Sequence, residues 1–229
     1  MTLLLIAFLI AAIEWISEHK KIQWGIYITK PAMMGTLIAW VLTYSQLLSR
    51  ENEFPLMWFV IGLAFCLAGD VFLMWPDHLF LPGLVAFLLG HIFYIIGFGP
   101  ILPPEGAYLP AAVIALLLIV LGAIIYRKLS QGMSASGNER MRWPVLLYSI
   151  VISLMLYAAL TRGFDGSWTT TSAIWVGVGA ALFYLSDILN AWRRFVTEFP
   201  NARLMIIMTY HLGQIALALG MVLHWRVQF

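Results

Sequence analysis

Cysteine is nearly missing from this chain. Cys66 is the single one among 229 residues, so neither an intrachain disulfide nor a cysteine-rich metal site can form. Charge is also scarce. Asp, Glu, Lys and Arg together make up 10 % of the residues and the net charge is +2, a balance too small and too scattered for a nucleic-acid-binding surface. Long polar stretches are absent too, which leaves no room for a soluble domain of any size.

What fills the chain instead is apolar. Hydrophobic residues reach 62 % and mean hydropathy is +0.90, far from the globular balance. A helix of about 20 apolar residues crosses a hydrocarbon core of roughly 30 Å. Segments of that kind run almost end to end, and they predict an all-α integral membrane bundle of about eight transmembrane helices, one domain over residues 1–229. The expected spans are Thr2–Ile16, Thr29–Leu47, Leu56–Trp75, Leu79–Phe98, Leu109–Tyr126, Trp143–Leu160, Thr171–Trp192 and Arg203–Trp225. The first lacks a basic leader and a small-residue cleavage site before Glu14, so it reads as a retained helix. Pro31 falls in the first turn of the second span, where an amide needs no intrahelical partner. Pro76-Asp77-His78 reads as a tight turn and Arg127–Arg142 as the longest loop. The fifth span has no ionisable group but its terminal tyrosine and reads as scaffold.

Basic residues give an orientation. The odd-numbered loops carry Lys20, Lys21, Arg127, Lys128, Arg140, Arg142, Arg193, Arg194 and Arg203; the even-numbered loops and the tail carry Arg50, Arg162 and Arg226. The positive-inside rule sets the odd loops in the cytoplasm and both termini outside, in a bacterial inner membrane or its equivalent.

Against this background a few polar residues stand out. Asp70 lies within the apolar run Gly62–Trp75, and Asp187 lies within the seventh span. An intramembrane carboxylate costs several kcal/mol unless paired, hydrated or protonated, and so marks a candidate site. Both acids fall about five residues before the cytoplasmic end of their spans, roughly 7 to 8 Å deep at 1.5 Å per residue. Lys30 and Tyr148 enter from the same side, and His91 and His211 lie deeper. These groups predict a cavity on the cytoplasmic half, lined by spans two, three, four, six, seven and eight. Lys30 also fits a lysine snorkelling to headgroups, and Trp15, Trp75, Trp143, Trp192 and Trp225 fit an interface belt. The segments Leu63–Trp75 and Ala180–Trp192 align with acid on acid and Trp on Trp, which suggests a 4+4 parallel repeat with the carboxylates facing across a pseudo-twofold axis.

Lys30-Pro31, Gly69-Asp70 with Leu73-Met74, Phe87 through Gly90-His91 to Tyr94, Ser186-Asp187-Ile188-Leu189, and Tyr210 to Gln214 together resemble the YhhN-type lysoplasmalogenases, multi-pass membrane hydrolases. The resemblance runs from about Lys30 to Gln214. Asn190 departs from it, standing where an apolar residue is expected. The resemblance implies cleavage of the vinyl-ether bond of a lysoplasmalogen, a lysophospholipid, to a fatty aldehyde and a glycerophospho-alcohol, with water as co-substrate and no cofactor or metal.

A vinyl ether resists base and yields to acid: protonation of its β-carbon gives an oxocarbenium ion, which water captures. Glycosidases meet a related cation with two carboxylates. Two aspartates in one poorly hydrated cavity repel as anions, so one keeps a proton. The expected catalytic pair is therefore Asp70 and Asp187. Lys30 is expected on the substrate phosphate, with His91, Tyr94, Tyr148, Asn190, Tyr210, His211 and Gln214 completing the substrate site. Two other readings stay open. Asp70, His91, Asp187 and His211 would supply ligands to a zinc-dependent lipid hydrolase, and the same groups would serve a proton-coupled transporter.

Overall fold

The computed structural model describes residues 1–45 and 50–226. Among them are eight long apolar helices, each able to cross a membrane: α1 (Thr2–His19), α2 (Gln23–Ser45), α3 (Arg50–Phe72), α4 (Pro76–Phe98), α5 (Tyr108–Ala135), α6 (Arg142–Thr161), α7 (Thr170–Phe195) and α8 (Ala202–Arg226). The expected end of the second span at Leu47 lies outside the described residues, as do the side chains of Arg50, Asp77 and Arg226.

Four boundaries differ from those read in the sequence. Helix α2 begins at Gln23, so Pro31 sits inside it and offers no N–H to the carbonyl one turn earlier. Helix α3 begins at Arg50, so the expected Arg50–Pro55 loop is helical. The chain turns before Pro76, and α4 starts at that proline with a kink at Leu79 (φ −114°, ψ 17°). Helix α5 runs on for 28 residues, so Arg127 and Lys128 are helical and the expected long loop shrinks. Its reason is local packing: Leu129 and Met133, embedded in a polar stretch, are buried against Val145 and Phe195.

The helices divide their surface between protein and lipid. On α5, Ala111 and Leu118 face inward, while Leu116, Leu117, Ile119, Val120 and Ile124 are exposed. An apolar residue on that outer face belongs to the hydrocarbon, since every backbone group is already satisfied within the helix. Trp75 and Trp143 likewise point outward.

Small residues set the two tightest helix pairs. A Cβ on Gly90 would come within 3.1 Å of Gly62 O, and one on Gly97 within 3.2 Å of Pro55 O, so α3 and α4 touch backbone to backbone. The pair α7–α8 repeats this contact in the same register. A Cβ on Gly213 would lie 3.0 Å from Gly179 O, and one on Gly220 2.9 Å from Ser172 O. Close approach of this kind is how helices associate in lipid, where burial from water offers no driving force. The register that lays Gly62 on Gly179 also lays Asp70 on Asp187. The contacts α1–α2, α2–α3, α3–α4 and α4–α6 have counterparts in α5–α6, α6–α7, α7–α8 and α8–α2. The contacts α1–α8, α3–α8 and α5–α7 break the correspondence.

Candidate active site

At the odd-loop end of the bundle a cavity of about 280 Å³ opens between the helices. Asp70 and Asp187 both line it, together with Lys30, Tyr148, Asn190 and Tyr210. All eight helices contribute to the wall, so α1 (through Glu18) and α5 (through Gly122, Ile125 and Leu129) join the six expected from the sequence.

Each acid has its own hydroxyl donor from another helix. Tyr210 on α8 donates to Asp70 Oδ2 at 2.6 Å, and Tyr148 on α6 donates to Asp187 Oδ2. Asp70 is only 3 % exposed, whereas the Asp187 side chain is 18 % exposed. His91, fully buried on α4, brings Nε2 to 2.9 Å from the Tyr148 hydroxyl and 3.4 Å from Asp187 Oδ2. Asp187 thus heads a three-residue network from three helices. Among the described residues the two carboxylates make no hydrogen bond to each other. They meet through the cavity and not side by side.

Helical spacing explains which neighbours reach the wall. On α8, Arg203, Ile206, Ile207 and Tyr210 follow the i, i+3, i+4, i+7 pattern of one face; on α2, Gln23, Ile26, Tyr27 and Lys30 do the same. On α7 the face carries Tyr184, Asp187, Asn190, Ala191 and Arg194. Each stripe ends in a polar or charged group at the mouth. The arginines Arg193, Arg194 and Arg203 and the acid Glu18 are the site residues that a motif reading passes over. The i+7 spacing from Asp187 to Arg194 and from Arg203 to Tyr210 is a signal for those two arginines; Arg193 and Glu18 carry no such signal.

Four expected residues stand away from the cavity wall: His91 reaches it only through Tyr148 and Asp187, and Tyr94, Gln214 and His211 pack elsewhere. Tyr94 donates to Gln214 Oε1 at 2.6 Å in a fully buried contact between α4 and α8. His211 turns the other way from its neighbour Tyr210, because adjacent helical residues point about 100° apart. Its Nδ1 accepts from Trp15 Nε1 at 3.2 Å, and its Nε2 lies 3.5 Å from Glu14 Oε2 on α1. Trp15 is therefore tied into the bundle and is not only a belt residue. Asp70, His91, Asp187 and His211 do not converge, and among the described residues no three His, Cys, Asp or Glu side chains form a metal-ligand group.

The opposite end of the bundle is tied together. Arg162, 2 % exposed, donates from Nη2 to Pro100 O at 2.7 Å and from Nε to Ala158 O at 3.2 Å, and pairs with Asp165 Oδ2 at 3.0 Å. Three helix ends are fastened there.

Apolar helices that share a one-sided polar chamber with two acids define a multi-pass membrane protein with a site sunk into one face. The YhhN family model matches residues 25–221, and the chain belongs to the YhhN family. It is 30 % identical to human lysoplasmalogenase TMEM86B over 90 % of this chain and 79 % of that protein. It is 32 % identical to human lysoplasmalogenase TMEM86A over 71 % of this chain and 64 % of that one. A lysoplasmalogenase of Mycobacterium tuberculosis is 28 % identical over 82 % of this chain and 67 % of that protein. No solved structure matches the chain.

Proposed function

We propose that this protein is a lysoplasmalogenase, cleaving the vinyl-ether bond of a lysoplasmalogen by acid–base work shared between Asp70 and Asp187. The observation that carries the reading is that both acids line one cavity, each held by a tyrosine from a different helix, in a chain whose relatives are named lysoplasmalogenase. The vinyl ether enters the chamber with its chain toward the bilayer. One carboxyl gives its proton to the β-carbon, forming a C–H bond and leaving an oxocarbenium ion at the α-carbon. Water adds to that carbon and loses a proton to the other carboxylate. The hemiacetal then breaks its C–O bond: the carboxylate left by the first step takes the hemiacetal O–H proton, the protonated partner gives its proton to the leaving glyceryl oxygen, and the aldehyde and the glycerophospho-alcohol leave with both carboxyls back in their starting states.

The hydrogen bonds favour a division of labour. Asp187 accepts from Tyr148 and has His91 beside it, an arrangement suited to a carboxylate that steadies the cation and orients water. Asp70, more deeply buried with one donor, then serves as the acid. The odd-loop mouth and its basic residues favour a site toward the cytoplasmic leaflet.

Purified protein incubated with a lysoplasmalogen should release fatty aldehyde. Asp70→Asn and Asp187→Asn, recovered folded, should each lose about 10²- to 10⁴-fold in turnover, the usual weight of a general acid or base. Turnover near wild type in either variant would overturn the acid–base assignment.

A further inference from the structure

The mouth of the cavity carries an ion pair that the proposed chemistry leaves unused. Arg203 opens α8 and Glu18 closes α1. Arg203 Nε lies 3.2 Å from Glu18 Oε2 and its Nη2 donates to Oε1 at 3.4 Å, so the guanidinium presents its fork to both carboxylate oxygens. Both residues line the cavity. The Arg203 side chain is 53 % exposed and Glu18 only 7 %. An arginine fork fits carboxylate and phosphate oxygens alike. Arg203 also stands two helical turns above Tyr210, the residue that holds Asp70, which is roughly 10 Å along the axis. Arg194 occupies the same height above Asp187 on α7, with its guanidinium carbon 3.7 Å from the centre of the Phe80 ring. In an ether-linked lysophospholipid, the phosphodiester stands one glycerol backbone away from the ether, toward water.

We propose that Arg203 is a phosphate-recognition residue for lysophospholipids and that Glu18 is its resting counter-ion, displaced when the phosphate arrives. Arg194 lines the same cavity from α7, over the Phe80 ring. Reading of the phosphate, and not of the alcohol beyond it, follows from the chemistry of the fork. The inference rests on the lipid-hydrolase reading only for its ligand class.

A structural staple and a ligand site predict opposite signs, which makes the pair testable. Binding is measured with an uncleavable 1-O-alkyl-glycerophosphoethanolamine and with the phosphate-free 1-O-alkylglycerol, on protein in neutral-lipid nanodiscs. Arg203→Gln should weaken the phosphate ligand about tenfold and leave the alkylglycerol unchanged, the loss of one charge-assisted pair. Glu18→Gln, which frees the fork, should tighten the phosphate ligand. Arg203→Lys, which keeps the charge and loses the fork, should fall between wild type and Arg203→Gln. Taking the ratio of the two affinities in each sample removes any loss from misfolding. Three results would overturn the proposal: Glu18→Gln and Arg203→Gln weakening both ligands alike; an effect seen only in anionic nanodiscs, which would mean that Arg203 reads bilayer lipid; or competition by inorganic phosphate that Arg203→Gln leaves unchanged. The ligands are never cleaved, so failure of vinyl-ether hydrolysis in a separate assay leaves this result standing on its own.

Discussion

The Tyr210 hydroxyl lies 2.6 Å from Asp70 Oδ2, joining α8 to the acid of α3 in a buried contact on the cavity wall. Tyr210→Phe removes that donor and little volume. A hydrogen bond to a group that changes charge is worth about 1.5–3 kcal/mol, so turnover should fall about ten- to a hundredfold while KM moves little. Steady-state aldehyde release measures both. An unchanged turnover would detach Tyr210 from the chemistry.

Asp187 poses a different question, because Tyr148 and His91 both contact it and each other. Groups that share one network lose less together than the sum of their separate losses. Tyr148→Phe and His91→Gln should each slow turnover, and the double variant should lose clearly less than the product of the two factors. Strict multiplicativity in the double-mutant cycle would mean that the two act independently.

Stability should depend on the glycine contacts. A Cβ on Gly179 would lie 2.6 Å from Leu217 N and 2.8 Å from Gly213 O, backbone atoms that cannot swing aside. Gly179→Ala therefore forces α7 and α8 apart, at a cost of about 1–3 kcal/mol for overpacking. A Cβ on Gly35, in α2, would have nothing within 4 Å, so this glycine serves as the control. Thermal unfolding in detergent should show a lowered midpoint for Gly179→Ala and none for Gly35→Ala, where the gain in helix propensity even favours the variant. Equal midpoints would mean that α7 and α8 can part without cost.

The same particulars show what could be read beforehand. Eight apolar runs and two isolated acids were legible, because an apolar span and a charge within it are strong one-dimensional signals. Helix ends in water were not. Lys128, Ser130 and Gln131 look like loop, and only the packing of Leu129 and Met133 on Val145 and Phe195 makes them helical. Tyr210 and His211 cannot share a face, a fact contained in helix geometry; which of the two meets Asp70 was decided by α3 and α1. Arg194 and Arg203 share a helical face with Asp187 and Tyr210, but basic residues near span ends are also what orientation alone demands, so their place at the site did not stand out.

The far end of the bundle yields a prediction in pH. Asp165 lies in the loop after α6, beyond the spans. Burial alone would push its carboxyl up, but hydrogen bonds from the Ser167 side chain and backbone, together with Arg162, outweigh that and hold it below its ordinary value. A carboxyl depressed in the folded state adds stability above its unfolded pKa, about 3.9, and that share is lost as pH falls through the folded value. Wild type should therefore unfold at higher temperature than Asp165→Asn at neutral pH, and the gap should close as the pH drops below about 4. Arg162→Gln should cost more than Asp165→Asn at every pH, since Pro100 O also loses its donor. A gap between wild type and Asp165→Asn that stays constant into acid would show that the loop is held by shape and not by this charge.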